Sequence, residues 1–173
     1  MAHPTKSIAF QGDIGANSDL ACRRVHPELT PLPCTTFEDM FTAVREGKAD
    51  LAMVPIDNSV AGRVADIHHL LPESGLHIIG EHFQRVEHQL LAVKGSKLAD
   101  LKYVHSHVHA LNQCRNTIQS LGLTAMVHVD TAAAARDIAE RGQKEHAAIA
   151  SELAGEIYGL DCLRPNMEDA EHN

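Results

Sequence analysis

The chain has 173 residues with a formal net charge of -8, and 44% of them are hydrophobic, 22% charged and 3% aromatic. This composition is typical of a globular protein with an aliphatic core, in one domain or two small lobes. The acidic charge and the shortage of aromatic rings argue against nucleic-acid binding, which needs basic side chains and stacking surfaces. No apolar segment reaches the roughly 18–20 residues of a membrane span and none resembles a signal peptide, so we expect a cytoplasmic protein that does not bind membranes.

The first part of the chain alternates short apolar runs with helix-forming segments, which predicts the order β-α-β-α-β-α. We predict strands at 7–10, 31–34 and 50–54. The first helix starts near Asn17, Ser18 or Asp19 and runs through about Val25, the second starts at Thr35 or Thr36 and ends at Gly47, and the third carries Ile67, Leu70 and Leu71 and stops at Pro72.

Residues 76–93 have a long stretch of β character, which we interpret as extended chain that crosses between two lobes at Gly80 and Glu81. A second alternating region follows this stretch. Its predicted elements are the strands 103–105, 125–129 and 147–150 and the helices 109–121, 131–141 and 151–158. The whole pattern predicts an α/β fold with mostly parallel sheets, in a first lobe at 1–80 and a second at 81–165.

Polar residues follow several predicted strands at the points where helices are expected to begin. In open α/β sheets, ligands bind beyond the carboxyl ends of the strands, where helix N-termini point. Such endings in two lobes therefore predict one binding cleft between the lobes. The endings are Asp57-Asn58-Ser59, Ser106-His107, Asp130-Thr131 and Ser151-Glu152.

Each of these endings also has a purely structural interpretation. Asn58 and Ser59 suit the N-cap of the helix that follows them, and they equally suit a polar ligand, with Gly62 allowing the backbone a close approach. The Asp130-Thr131 and Ser151 endings suit helix caps or ligand contacts in the same way. These alternatives stay open on the local sequence alone.

Nothing in the sequence implies a metal, a nucleotide or a covalent cofactor. His105, His107 and His109 alternate, but a helix start after Ser106 would break their alignment, and no acidic or cysteine ligand adjoins them. Walker, H-E-x-x-H and G-x-S-x-G motifs are absent. The cysteines form no C-x-x-C pair, so we expect buried, reduced thiols at Cys22, Cys34, Cys114 and Cys162.

Taken together, the segments resemble the catalytic domain of the prephenate dehydratases, in the family's order along nearly the whole chain. "IAFQGDIGANS" resembles the opening strand and turn, with Asp13 where the family commonly has proline. "VPIDNSVAGRV" resembles the Pro-x-Glu-Asn-Ser-x-x-Gly signature, with Asp57 in place of glutamate. "VHSHVHALNQC" resembles Ser-His-Pro-x-x-x-x-Gln-Cys, with Val108 in place of proline. "IIGEHFQRVEHQLLAV", "DTAAAA" and "AAIASELAGEIYGL" complete the resemblance.

The resemblance implies a two-lobed fold like that of type 2 periplasmic binding proteins, with the active site in the interlobe cleft. It implies a lyase that removes water and carbon dioxide from prephenate to give phenylpyruvate for phenylalanine synthesis, without a cofactor. Neutral donors suit this reaction, because the enzyme's task is to orient prephenate and to stabilise the departing hydroxide. Carried over by motif, the catalytic residues are Asp57, Asn58, Ser59 and Gln113, and the substrate-binding residues are Gly62, Ser106, Thr131 and Ser151.

The end of the sequence departs from the family. "MEDAEHN" finishes the chain at the point where a Thr-Arg-Phe motif is expected, and the phenylalanine-binding ACT domain is absent as well. We therefore expect a catalytic domain cut just short, with weak prephenate binding and poor turnover, in which 166–173 begin a return to the first lobe. Phenylalanine feedback would act only through the absent domain, and the family's dimers or tetramers form partly through it.

Two other functions stay open. Arogenate dehydratases act on the amino analogue of prephenate, and the sequence does not separate the two substrates. A binding protein that uses the same cleft without catalysis is a rival of another class, although the absence of a secretion signal disfavours a periplasmic receptor.

Overall fold

The structure, a computed structural model, describes residues 6–170. The chain divides into two compact units, Met1–Gln84 and Arg85–Asn173, and each has its own sheet. Within the described residues, no helix is both long and apolar enough to cross a membrane. The predicted lobes at 1–80 and 81–165, the cleft between them and the return of 166–173 stay predictions, and residues 171–173 lie outside the described part of the chain.

The first unit is built on a three-stranded parallel sheet in the order β2-β1-β3. Alternate side chains of the central strand lie on opposite faces of the sheet. Ile8 and Phe10 pack with Cys22 on one face, and Ala9 packs with Met40 and Phe41 on the other. Helices therefore cover both faces, as buried parallel strands require. The elements are β1 (Ser7–Gln11), α1 (Asn17–Val25), β2 (Thr30–Cys34), α2 (Phe37–Arg45), β3 (Leu51–Met53), the ribbon of β4 (Asp57–Asn58) and β5 (Gly62–Arg63), and α3 (Ala65–Glu73).

The second unit is built on a five-stranded mixed sheet in the order β10-β6-β9-β7-β8. Strands β7, β8 and β9 are parallel, and β6 runs antiparallel to both β9 and β10. The elements are β6 (Gln89–Ala92), a short 3-10 helix (Leu98–Asp100), β7 (Tyr103–His107), α4 (Val108–Gln113), α5 (Arg115–Ser120), β8 (Thr124–His128), α6 (Thr131–Arg141), β9 (His146–Ala150), α7 (Glu152–Tyr158) and β10 (Asp161–Arg164).

Helix α6 has the bounds that its sequence predicts. The Asp130 carboxylate accepts the N–H groups of Ala132 and Ala133, and Gly142 ends the helix in the left-handed conformation with φ of +65°. The run of alanines at 132–135 is buried, since small side chains let this helix pack closely on the sheet. Both terminal signals are local, which is why the sequence alone could locate this helix.

The predicted order of strands and helices is confirmed in both units, but the stretch at 76–93 is not a long strand. Only Gln89–Ala92 forms β structure, and residues 75–88 have no regular secondary structure. Ile78, Ile79 and Phe83 are 71%, 76% and 88% exposed, so their apolar side chains are not buried by the described residues. The apolar residues of this stretch predicted a strand, but residues 75–88 pair with no neighbouring strand in the described part of the chain.

Four local predictions are also wrong. Helix α3 runs through Pro72 to Glu73, although the sequence predicts that it stops at Pro72. The predicted helix 109–121 is two helices, because the chain leaves the helical conformation at Cys114 with φ of -111° and ψ of 14°. Strand β7 continues through His107, so the helix does not start directly after Ser106. All four cysteines are free, but Cys34 is only half-buried and Cys162 is exposed on strand β10, whereas the sequence predicts four buried thiols.

Candidate active site

The motif "VPIDNSVAGRV" forms a tight β-ribbon after strand β3. The Asn58 Oδ1 atom accepts hydrogen bonds from the backbone N–H groups of Val60 (2.9 Å) and Ala61 (2.7 Å). Gly62 completes the reversal with φ of +83°, a conformation that favours glycine. The side chain of Asn58 therefore shapes its own loop through its oxygen, and the two N–H donors of the same amide are not used in that turn.

This ribbon corrects the interpretation of Asn58 and Ser59 as caps of the following helix. Helix α3 begins only at Ala65, and within residues 6–170 its N-cap residue, Val64, makes no side-chain cap hydrogen bond. Asp57 and Ser59 are exposed, and Gly62 has open space around its Cα. The polar residues thus stand on a solvent-exposed loop beyond the carboxyl end of β3, where α/β sheets bind ligands.

In the second unit, the predicted polar residues meet at one edge of the sheet. Strands β7, β8 and β9 are parallel neighbours, so their carboxyl ends lie on the same side. Ser106 is the penultimate residue of β7, Thr131 opens the helix after β8, and Ser151 follows β9 directly. The structure therefore brings these residues to one edge, as their positions after parallel strands predict.

Both serines in this set have structural partners within the second unit. The Ser106 hydroxyl is fully buried and donates to the Ile149 carbonyl at 2.6 Å, which joins β7 to β9. The Ser151 oxygen accepts the Ala154 N–H at 3.1 Å as the N-cap of α7, and its side chain is buried. Thr131 is half-buried as the first residue of α6, with Asp130 as the cap. The capping interpretation thus holds for Asp130 and Ser151.

Gln113 is the last residue of α4 and makes a hydrogen bond that the sequence did not predict. Its Oε1 atom lies 2.7 Å from the Nε2 atom of His88, which precedes the fully buried strand β6. The His88 side chain is itself buried, with 3% of the residue exposed. The amide of Gln113 therefore has a defined partner in the residue directly before strand β6.

Residues 167–169 form hydrogen bonds with the backbone groups of both His88 and Gln113. The Met167 N–H donates to the His88 carbonyl at 2.8 Å, and the His88 N–H donates to the Glu168 carboxylate at 2.9 Å. The Asp169 N–H donates to the Gln113 carbonyl at 2.7 Å. Met167 is fully buried in the core of the second unit, which anchors the segment. The last described residues thus support the predicted site residue Gln113.

Cys114 follows Gln113 directly but is not suited to nucleophilic chemistry. Burial is the main cause that raises the pKa of its thiol to about 12, and the Glu168 and Asp169 carboxylates raise it further. A thiol with such a pKa stays protonated at neutral pH, whereas the thiolate is the reactive form. Cys114 is therefore not a candidate nucleophile.

The alternating histidines form separate pairs. His105 lies in β7 with its Nε2 atom 2.8 Å from the Nδ1 atom of His146, while the His107 ring packs on that of His109. Burial, followed by the nearby His146, lowers the pKa of His105 to about 4. Among residues 6–170, no group of three or more His, Cys, Asp or Glu side chains is arranged to hold a metal ion.

Sequence reasoning missed His88, Glu168 and Asp169. A histidine directly before the buried run "QLLA" is a polar residue at a core position, and such residues usually have a partner. That signal could have indicated that His88 has a hydrogen-bond partner, although it does not show that the partner is Gln113. The acidic residues carry no comparable local signal, because their partners lie far away along the chain.

Comparisons with known proteins identify the family of this chain. The prephenate dehydratase family profile matches residues 8–173. A bifunctional N-acyl-homoserine lactone acylase/prephenate dehydratase of Komagataeibacter europaeus is 57% identical over 96% of this chain and 59% of its own length. An arogenate dehydratase/prephenate dehydratase of Arabidopsis thaliana is 42% identical over 96% of this chain and 42% of its own length.

The crystal structure of the Arthrobacter aurescens prephenate dehydratase, in complex with L-Phe, superposes with a TM-score of 0.89 at 31% identity. The match covers 96% of this chain and 57% of that protein. The chain thus has the periplasmic-binding-protein-like α/β fold of these enzymes, and it spans about half the length of its relatives. Because profile, relatives and fold agree over nearly all of its residues, the chain belongs to the prephenate dehydratase family.

Proposed function

We propose that the chain is the catalytic part of a prephenate dehydratase, a lyase of phenylalanine biosynthesis. The observation that carries this proposal is the position of the family's motif residues at the carboxyl ends of parallel strands. Asn58 stands beyond β3 in the first unit, and Ser106, Thr131 and Ser151 stand at one edge of the second sheet. Ligands of α/β sheets bind at such edges.

The reaction breaks two bonds of prephenate. The protein has to orient prephenate and to stabilise the departing hydroxide. The bond between the ring and its carboxylate breaks, carbon dioxide leaves, and the electron pair enters the ring. The bond between the ring and the hydroxyl group opposite breaks at the same time, and the departing hydroxide takes up one proton from solvent to become water. The products are phenylpyruvate, carbon dioxide and water, and aromatisation of the ring provides the driving force.

The proposed catalytic groups act as hydrogen-bond donors rather than as nucleophiles. The proposed donor of the first unit is the amide N–H of Asn58 and that of the second is the amide N–H of Gln113, because preorganised donors act on charge as it develops. Asp57 and Ser59 flank Asn58 on the same ribbon and position substrate. Ser106 supports the site from the core, since its hydroxyl is buried against Ile149.

Turnover of prephenate by matched amide variants tests this proposal. The chain is assayed alone and extended beyond Asn173 with the C-terminal part of the Komagataeibacter europaeus relative. We expect phenylpyruvate release, with Asn58→Ala and Gln113→Ala lowering kcat by about 100-fold. Asn116→Ala and Gln119→Ala are controls, because both side chains are exposed on α5. Equal losses in test and control variants would contradict the assigned roles.

Arogenate is the alternative substrate within the same reaction type. It carries an amino group where prephenate carries the keto group, so its product is phenylalanine rather than phenylpyruvate. The Arabidopsis thaliana relative is named for both activities. We propose that prephenate is the preferred substrate, so kcat/KM should be higher for prephenate than for arogenate. A higher kcat/KM for arogenate would contradict this preference.

A second candidate activity comes from the Komagataeibacter europaeus relative, whose name also includes N-acyl-homoserine lactone acylase. At 57% identity over 96% of the chain, we propose that the acylase activity is shared. The reaction adds water across the amide bond and releases a fatty acid and homoserine lactone. Fatty acid release from an N-acyl-homoserine lactone supports this activity, and an intact lactone after prolonged incubation with folded protein contradicts it.

We place phenylalanine regulation outside residues 1–173. The family resemblance assigns feedback to the ACT domain, and the Arthrobacter aurescens enzyme that is in complex with L-Phe is longer than this chain. Calorimetry of L-Phe with the 173-residue chain should therefore detect no binding. A saturable heat of binding would place a phenylalanine site within the chain, and dimers or tetramers in sedimentation would place an assembly contact there.

A further inference from the structure

The hydrogen bond between His88 and Gln113 has a defined direction. The Gln113 oxygen can only accept, so the His88 Nε2 atom, at 2.7 Å, carries the proton and donates it. The other ring nitrogen, Nδ1, is buried and has no hydrogen-bond partner within residues 6–170. In the described part of the chain, the hydrogen bonding of this ring is therefore directed to Gln113.

The two residues are also held by their backbones. The His88 N–H and carbonyl are bonded to Glu168 and Met167, and the Gln113 carbonyl is bonded to the Asp169 N–H. All three partners come from one short segment, which Met167 anchors in the core. Backbone hydrogen bonds thus fix the positions from which the imidazole ring and the amide side chain extend. This restraint favours the 2.7 Å contact between His88 and Gln113.

We propose that His88 is a positioning residue for Gln113, an inference that rests on the proposed dehydratase function. An unrestrained amide can rotate by about 180° and exchange its oxygen with its NH2 group, which exchanges an acceptor for a donor. A departing hydroxide needs the donor. Because the His88 N–H donates to the Gln113 oxygen, it stabilises the rotamer in which the NH2 group of Gln113 can donate to the departing hydroxide.

Two amide substitutions at position 88 separate this role from simple packing. In His88→Gln, the new amide nitrogen lies near the place of the lost Nε2 atom and can still donate to Gln113. In His88→Asn, the shorter amide reaches only the place of Nδ1, so the bond to Gln113 is lost. Both variants bury one neutral amide, which makes them a matched pair. His69→Leu is the control, because His69 is exposed on helix α3.

The first measurement is nuclear magnetic resonance of the 173-residue chain, which needs no activity. We expect the ¹⁵N shifts of His88 to report the Nε2–H tautomer. The side-chain amide signals of Gln113 should shift or broaden in His88→Asn and stay near their positions in His88→Gln and His69→Leu. Unchanged Gln113 signals in a folded His88→Asn protein would overturn the proposal.

The second measurement is prephenate turnover by the same variants, in the chain alone and extended as described above. We expect His88→Asn to lower kcat by about 10- to 100-fold while KM changes by less than about threefold. His88→Gln should stay within about threefold of the unsubstituted chain, and His88→Asn should add no further loss to Gln113→Ala. Equal kcat values for the Gln and Asn variants would overturn the positioning role.

The two measurements distinguish the failure of this inference from the failure of the proposed function. If no form of the chain consumes prephenate, the dehydratase proposal fails, and the resonance data alone decide whether His88 orients Gln113. If prephenate is consumed but His88→Asn behaves like His88→Gln in both measurements, the dehydratase assignment stands and the positioning role fails. Should His88→Asn not fold, Glu168→Gln takes its place, because it perturbs the bond to the His88 N–H and should shift the same Gln113 signals.

Discussion

The carboxylate of Asp169 caps the start of helix α5 through Thr117. Its Oδ1 atom accepts both the backbone N–H and the hydroxyl of Thr117 at 3.0 Å, and its Oδ2 atom accepts the N–H of Asn116 at 2.8 Å. A cap usually comes from the residue just before a helix, but here it comes from 52 positions further along the chain. These bonds let a new helix begin directly after the break at Cys114.

Removing this cap should destabilise the second unit. We expect Asp169→Ala to lower the free energy of unfolding by about 1–2 kcal/mol, the usual effect of losing an N-cap. Urea unfolding followed by tyrosine fluorescence measures it, because both tyrosines, Tyr103 and Tyr158, lie in this unit and the chain has no tryptophan. Glu140→Ala, an exposed acid on α6, is the control. Equal stability of the two variants would contradict the capping role.

The stability of the second unit should fall in mild acid because of His105. Its pKa is lowered from 6.5 to about 4 by burial and by the neighbouring His146, Arg141 and His128, while Asp137 acts in the opposite sense. Between those pH values the unfolded chain binds a proton that the folded chain does not, so stability is full above about pH 6.5 and is lost as the pH falls toward 4.

Unfolding curves at several pH values test this contribution. In His105→Gln, the slope of the unfolding free energy against pH should decrease by up to about 1.4 kcal/mol per pH unit within this window. Above the window, the two proteins should have parallel curves. If the substitution leaves the slope between pH 6.5 and 4 unchanged, another group causes the acid sensitivity.

Replacing Gly62 should strain the ribbon. Its φ of +83° disfavours a side chain, although a methyl group placed on its Cα would meet no atom of the described residues within 4 Å. Gly62→Ala should cost about 1 kcal/mol and speed amide exchange of Val60 and Ala61 by about fivefold. Gly80→Ala is the matched control, since Gly80 also has open space and lacks the positive φ. Equal exchange rates in both variants would exclude backbone strain as the reason for the glycine.

Asp57→Glu tests whether the site depends on the shorter acid. Asp57 is exposed on the ribbon, so one more methylene group has room, and we expect kcat for prephenate to change by less than about threefold. Asn58→Ala on the same ribbon should be far more damaging, because it removes both the loop's acceptor and the proposed donor. A loss for Asp57→Glu as large as that for Asn58→Ala would mean that the site is shaped around aspartate.

Local signals made parts of this structure predictable. Thr36 caps α2 and Asp130 caps α6 as their sequences indicate, because N-caps bond to residues two or three positions away. The parallel strands followed from the alternation of apolar and helical segments, and the edge that carries Ser106 and Ser151 followed from the direction of those strands.

The remaining features depend on partners that are distant in sequence. The break at Cys114 is supported by Asp169, and the orientation of Gln113 depends on His88, so no window of neighbouring residues contains either cause. Asn58 was recognisable as a polar residue after a strand, but only the structure shows that it bonds to its own loop rather than to the next helix. The sequence thus indicated where polar residues follow strands, but not which atoms they bond to.

The most direct measurement is the stoichiometry of prephenate turnover by the chain extended with its relative's C-terminal part. We predict that phenylpyruvate and carbon dioxide form in equal amounts as prephenate disappears, and that Gln113→Ala slows both equally. A folded protein that leaves prephenate unchanged beyond the spontaneous rate, or whose Gln113→Ala variant forms both products as fast, would contradict the account.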